Sequence, residues 1–418
     1  MQIKLIVLFL FMGFVSFAQT STQKVLFLGN SYTSVNNLPQ MLKDVALSVN
    51  DSVIFDVNAP GGYTFQGHST NANSIAKIMA GDWDYVVLQE QSQMPSFPDQ
   101  QVLTDVFPYA NQLDSLVNLY NPCAETVFYM TWGRKNGDAS NCASWPPVCT
   151  YNGMDSLLNL RYQMMAQQND AIVSPVGEVW NYLRVNHPEI ELYQSDESHP
   201  SIAGTYLAAC TFYATIFRKD PTLITYYSTL TSVDASKIQQ AVKLKVFDSL
   251  INWNVGIFDP MANFDFSEQT NNLVSFTNNS TASDSLSWDF GDGSFSFESN
   301  PSHQYNQPGE YLVTLTIYSC GKTDSVAILV TTNSVSITAE KLNAFSIYPN
   351  PATQFLNIES SSNETTQFKI SNALGEILIE GSLSFGKNEI LISHLESGVY
   401  QIELNDNSNQ SIKNRFIK

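Results

Sequence analysis

The sequence predicts an α/β domain, a three-layer α/β/α sandwich on a mostly parallel sheet, followed by two small all-β sandwiches. Two observations carry this. From residue 24 to about 258, apolar strand-like runs alternate with amphipathic helical stretches, the pattern of βαβ units whose helices cover both faces of a parallel sheet. After Pro260 the helical period disappears, and short alternating strands follow, punctuated by Asn, Ser and Gly. A hydrophobic content of 43% over 418 residues can give each of several domains its own core, which excludes a disordered protein.

Residues 1–18 join Lys4 to an apolar run from Leu5 to Phe17, with small residues at Ser16 and Ala18 before Gln19. That is the form of a secretory signal peptide, and the run is short for a bilayer span. The first strand is Val25-Leu26-Phe27-Leu28-Gly29, ending in a tight Gly-Asn turn. Leu38, Met41, Leu42, Val45, Ala46 and Val49 then recur at helical spacing, with Pro39 near the start. Further strands are expected at 53–57, 85–88, 126–130 and 171–175, and helices at 74–80, 102–119, 154–168 and 202–217.

Acidic residues outnumber basic ones 39 to 20, a formal net charge of −19 with no basic stripe, so nucleic acid is not an expected partner. Beyond residue 18 no stretch approaches the ~20 consecutive apolar residues of a membrane-spanning helix. Cys142 and Cys149 bracket residues 143–148 and are the pair expected to close in an oxidising compartment. Cys123, Cys210 and Cys320 read as small buried hydrophobes. No Cys/His cluster has zinc spacing, and neither a metal nor a cofactor is expected.

The chemistry is carried by two short segments. Ser31, in Gly29-Asn30-Ser31-Tyr32-Thr33, follows a buried strand, which puts its hydroxyl at the carboxyl edge of the sheet, where open α/β sheets bind ligands. Far downstream, Asp196-Glu197-Ser198-His199-Pro200 places a carboxylate and an imidazole on one side of a short loop. A serine hydroxyl is a weak nucleophile until a neutral imidazole removes its proton, and an adjacent carboxylate fixes the tautomer and stabilises the imidazolium. Ser31, His199 and Asp196 therefore suffice for acyl transfer.

This combination resembles the SGNH/GDSL hydrolase superfamily over the first domain, taken as residues 19–258. The resemblance implies an esterase with Ser31 as nucleophile, His199 as base and Asp196 as its orienting partner. The oxyanion would be held by the amides of Ser31 and Gly62, with Gly61 the near alternative, and by a side chain after the strand at 85–88. Most of the superfamily has Gly-x-Asn-Asp there. This chain has Gln89-Glu90-Gln91-Ser92, which puts Gln91 in the place of the asparagine and leaves Gln89 as the alternative.

Asn30, Gln89, Glu90, Trp132 and Arg134 are candidate substrate contacts, the last two because Trp132-Gly133-Arg134 follows a strand onto the same edge. An ion pair of Glu90 with Arg134 is also expected. His68 reads as a structural hydrogen-bond partner rather than a second base.

Ser287-Trp288-Asp289-Phe290-Gly291-Asp292-Gly293, with Tyr311 to Leu315 downstream, is similar to the PKD domain, an immunoglobulin-like sandwich expected at 262–333. Asp289 and Asp292 there lack the oxygen-ligand set of a calcium loop, and turn chemistry accounts for them. After a linker at 334–344, residues 345–418 are similar to the C-terminal sorting domain of type IX secretion cargo. That resemblance implies a Gram-negative bacterium of the Bacteroidetes group, export through its periplasm, the type IX machinery as partner, and a secreted or surface-attached product.

The expected function is a secreted serine esterase that removes acyl groups, with acetyl groups on carbohydrate the favoured class. Two other readings remain open. One is a surface adhesion or glycan-binding protein whose α/β domain is inactive, which the Gln-Glu-Gln-Ser block favours. The other is a lipase-type esterase, which a long apolar lid would favour.

Overall fold

The computed structural model describes residues 21–281, 283–332, 345–360, 366–372, 375–405 and 411–418. The expected signal peptide and the linker at 334–344 lie outside the described residues. The chain divides into two compact units, Met1–Trp253 and Asn254–Lys418.

In the first unit, β1 (Thr22–Leu28), β2 (Ser52–Asn58), β3 (Tyr85–Leu88), β4 (Glu125–Tyr129) and β5 (Ile172–Ser174) form one sheet in the order β2-β1-β3-β4-β5. All four pairings are parallel. Val25 to Leu28, Val86 to Leu88 and Val127 to Tyr129 are fully or almost fully buried, as a sheet covered on both faces requires. The order reverses direction between β1 and β3, so the loops leaving those two strands diverge around a crevice at the carboxyl edge.

The helices are α1 (Ser31–Ser34), α2 (Leu38–Leu47), α3 (Phe65–Thr70), α4 (Ala72–Met79), α5 (Asp99–Asp105), α6 (Phe107–Tyr120), α7 (Tyr151–Gln168), α8 (Val176–Asn186), α9 (Ile202–Phe217) and α10 (Ser232–Lys245). The single helix expected over 102–119 is two, broken at Val106 (φ −121°, ψ −63°). Pro108 has no amide hydrogen and its ring crowds the carbonyl four residues back, so α5 stops and α6 starts with the proline in its first turn. Helix α9 runs from Ser201, whose side chain caps Gly204 N, and every residue after Ile202 is buried. Such an all-round apolar helix belongs in the interior. Among the described residues no helix is long and apolar enough to cross a membrane.

The second unit holds two β cores. In one, strands β6 (Phe264–Glu268), β7 (Leu273–Asn278) and β10 (Ser302–Gln304) form a sheet of order β10-β7-β6, and β8 (Ser285–Asp289), β9 (Phe295–Ser296), β11 (Gly309–Ser319) and β12 (Lys322–Thr332) one of order β12-β11-β8-β9. Trp288, Phe276, Val313 and Leu315 meet between them. Asp289 and Asp292 accept the amides of Gly291 and Ser294, the Asx turns that the sequence suggests.

The other core joins a sheet of β13 (Phe345–Tyr348), β14 (Phe355–Ser360) and β17 (Gly386–Leu391) to one of β15 (Thr366–Ser371), β16 (Ile377–Leu383), β18 (Val399–Asn405) and β19 (Ser411–Ile417). Leu356, Ile358, Ile370, Ile402 and Leu404 fill it. The expected α/β sandwich followed by two small β-sandwiches is the observed fold class.

Candidate active site

Strand β1 delivers the chain to Gly29 with no room for a side chain. A Cβ there would stand 2.4 Å from Thr33 Oγ1 and 2.7 Å from Gln89 Oε1. Asn30 then caps α1: its side chain accepts the amide of Tyr32, and its own Nδ2 donates to the carbonyls of Tyr63 (3.0 Å) and Glu90 (3.2 Å). One buried asparagine thus ties together the loops leaving β1, β2 and β3. Ser31 stands at the first position of the helix.

His199 Nε2 lies 2.8 Å from Ser31 Oγ, and His199 Nδ1 is hydrogen bonded to Asp196 Oδ2. Since the carboxylate can only accept, Nδ1 carries the hydrogen and Nε2 is free to accept from the serine. Asp196 Oδ1 also accepts the amides of Ser198 (3.1 Å) and His199 (3.0 Å). Partial burial raises the Asp196 pKa, but these hydrogen bonds outweigh it and hold the carboxyl below its usual value. The Asp196 and His199 side chains are 46% and 31% exposed, so the relay opens to solvent.

The loop carrying Asp196 and His199 is clamped by the loop after β4. Lys135 N donates to Glu197 O (2.9 Å), Asn136 Nδ2 to Glu197 Oε2 (2.8 Å), and Trp132 Nε1 to Ser198 O (3.2 Å). Glu197 takes a left-handed conformation (φ 61°), costly for a residue with a side chain, and these bonds hold it there.

Among the described residues nothing accepts the amide hydrogens of Ser31 and Gly62. Gly62 (φ 67°) is exposed in the loop after β2, in a backbone conformation that glycine adopts without strain. Gln91 is partly buried; its Oε1 accepts from Gln93 N and Met94 N, and its Nε2 donates one hydrogen to Gln93 Oε1. The second Nε2 hydrogen is left over.

Several expected substrate contacts are instead internal. Gln89 is fully buried, accepts from Asn30 N (2.9 Å) and Thr33 Oγ1 (3.0 Å), and donates to Glu90 O. Glu90 is also fully buried and accepts the amides of Phe65 and Gln91. It makes no pair with Arg134, which bridges to Asp138 at 3.1 Å. Burial pushes the Glu90 carboxyl up to about 8 against those amide bonds.

Trp132 is fully buried, stacked between Tyr32 (4.7 Å) and Trp180 (3.7 Å). Its large ring is worth more inside than in a loop. Asn30, at 2% exposure, is likewise occupied within the fold. Arg134, with a side chain 27% exposed, is the one of these five that reaches solvent.

Cys142 and Cys149 form a disulfide. Neither Cys123 nor Cys320 is a free thiol, against their reading as small buried hydrophobes, whereas Cys210 is free and buried. Sequence reasoning passed over Tyr32 and Ser198, which touch the relay directly. Their position beside Ser31 and His199 is the only sequence signal they give.

Residues 259–332 match the family model of the PKD domain. Residues 346–418 match the model described as the secretion system C-terminal sorting domain. The C-terminal segment is a type IX sorting domain. Cargo bearing this sorting domain is exported to the cell surface or the extracellular space of Bacteroidetes.

None of the curated proteins matches the chain in sequence. Among solved structures the chain is similar to a DUF4886 family protein from Bacteroides uniformis ATCC 8492, at 17% identity and TM-score 0.47 over 55% of this chain and 95% of that one. It is also similar to a protein of Slackia heliotrinireducens described as a candidate SGNH hydrolase, at 25% identity and TM-score 0.39 over 47% of this chain and 100% of that one. The PKD1 domain of Vibrio anguillarum Epp is similar at 34% identity and TM-score 0.17, over 18% of this chain and 93% of that one.

Proposed function

We propose that this exported chain is a serine esterase of SGNH type, acting through Ser31, His199 and Asp196. The observation that carries the reading is the continuous relay from Asp196 through His199 to Ser31 Oγ, at a sheet edge that also presents the unbonded amides of Ser31 and Gly62.

Ser31 Oγ attacks the ester carbonyl as its proton passes to His199 Nε2, and Asp196 stabilises the imidazolium. The negative charge on the carbonyl oxygen is taken up by the Ser31 and Gly62 amides and by the remaining Gln91 Nε2 hydrogen. The C–O bond to the alcohol breaks and His199 returns the proton to the leaving oxygen. A water, deprotonated by His199, then attacks the acyl-serine, releasing the carboxylic acid and restoring Ser31.

The substrate class we favour is an acetylated carbohydrate. The exposure of Asp196 and His199 leaves the relay open to a polymer chain, and a short acyl group needs no deep apolar cavity. Arg134, its side chain 27% exposed and fixed by Asp138, offers hydrogen-bond donors to sugar oxygens.

The reading is tested by following acetate release from acetylated oligosaccharides beside hydrolysis of soluble esters of increasing acyl length. Acetate release, with rates falling as the acyl chain lengthens, is the expected result. Rates rising with chain length, and no acetate released, would favour the lipase reading.

A further inference from the structure

His68 is completely buried in α3 and takes no part in the relay. Its Nε2 lies 2.9 Å from the carbonyl oxygen of Gly29 and its Nδ1 2.8 Å from Ser74 Oγ. A carbonyl can only accept, so Nε2 carries the hydrogen and Nδ1 accepts from the serine hydroxyl. Ser74 Oγ in turn accepts from Asn58 Nδ2 (2.7 Å), which holds the hydroxyl in place. Burial keeps the imidazole neutral by drawing its pKa down to about 4, as a single-donor role requires.

The bond to Gly29 falls on a peptide that is held from both edges. Its carbonyl accepts from His68, and its N–H, on Asn30, donates to Gln89 Oε1 at 2.9 Å. A planar peptide gripped at both ends cannot rotate, and the next residue along the chain is Ser31. The Tyr63 ring also stands edge-on to His68 at 4.8 Å, while Tyr63 O accepts from Asn30 Nδ2, so the neighbour of Gly62 packs on the same imidazole.

We infer that His68 is a positioning residue for the ester chemistry, holding the Gly29–Asn30 peptide so that the Ser31 hydroxyl and amide face the substrate carbonyl together. The inference rests on the esterase reading. His68 touches no substrate and moves no proton; it acts through Gly29. Without its bond the peptide can swing, and a nucleophile displaced by ~1 Å costs about 10²-fold in rate.

The test compares His68→Gln, His68→Asn and His68→Phe in the full chain. It measures kcat and KM on a soluble acetyl ester, the rate at which a fluorophosphonate labels Ser31, and the thermal midpoint. Glutamine presents its Nε2 where the imidazole Nε2 stood; asparagine is too short to do so. His68→Asn and His68→Phe should lower both kcat and labelling by roughly 30- to 100-fold with KM changed less than about threefold, while His68→Gln recovers most of the loss.

An asparagine variant as fast as the glutamine one, or a loss carried by KM, overturns the inference. If His68→Phe does not fold, the Gln and Asn variants decide between them at matched thermal midpoints. Wild-type protein unlabelled at Ser31 would sink the esterase reading and this inference with it. Labelling of His68→Asn at the wild-type rate removes His68 alone.

Discussion

Tyr32 Oη and Ser198 Oγ lie 2.7 Å apart, so the residue after Ser31 is bonded to the residue before His199. The two loops therefore meet at two successive rungs, one between Ser31 and His199 and one between Tyr32 and Ser198. The Tyr32 ring also stands edge-on to the His199 ring at 5.5 Å. The nucleophile's loop and the base's loop are registered by a contact that does no chemistry itself.

Tyr32→Phe keeps the ring and its stack on Trp132 but removes this rung. A net hydrogen bond is worth ~1 kcal/mol, or about fivefold in rate, so kcat should fall by roughly that factor with little change in thermal midpoint. Steady-state kinetics beside a melting curve checks it. An unchanged kcat would mean that the backbone bonds to Glu197 and Ser198 suffice.

Trp132→Ala should behave as a core mutation. The ring is buried against Tyr32 and Trp180, and losing so large a side chain commonly costs about 3–5 kcal/mol. Denaturant unfolding should show that loss. The ranking of esters by relative rate should stay as in wild type, since the ring does not meet substrate.

Asp196→Asn should reduce turnover by roughly 10³- to 10⁴-fold, because an amide at this position no longer fixes the imidazole tautomer. Gln91→Ala should cost about 10²-fold in kcat with KM little changed, the pattern of a donor that acts mainly in the transition state. An unchanged kcat for Gln91→Ala would leave the oxyanion to the two backbone amides.

Glu90 makes a prediction about pH and stability. Burial holds its carboxyl at about 8 in the folded chain, against an ordinary value of 4.5, so between those values folding takes up a proton. The stability this group contributes is full below the ordinary carboxylate range and is lost as the pH rises through about 8. The thermal midpoint of wild type should therefore fall more steeply from about pH 5 to about pH 8.5 than that of Glu90→Gln, which cannot titrate. Parallel curves for the two proteins would contradict the assignment.

The parallel sheet was legible because its strands are short apolar runs with turn residues after them, and α9 because the sixteen residues from Ile202 carry no charge. Ser31, Asp196 and His199 were legible as a chain-order pattern beside predicted strand ends. What the sequence did not reveal is which polar residues near that edge face inward.

Gln89 and Glu90 follow β3 as any loop residues would, yet both are fully buried, because the carboxylate and amide satisfy backbone groups from three converging loops. Trp132 likewise reads as a candidate substrate contact until Tyr32 and Trp180 are seen on its two faces. Tyr32 and Ser198, 166 residues apart, meet only in the folded chain.

The measurement that bears most directly on the central claim is covalent trapping. The full chain is treated with a fluorophosphonate, digested, and its modified peptide mapped, with Ser31→Ala treated alongside and both assayed on a soluble acetyl ester. A relay centred on Ser31 gives a single adduct on Ser31, no adduct on the variant, and hydrolysis lost by on the order of 10⁴-fold or more at an unchanged circular dichroism spectrum. An adduct on another residue, or a folded Ser31→Ala protein that keeps more than about a tenth of wild-type activity, would contradict it.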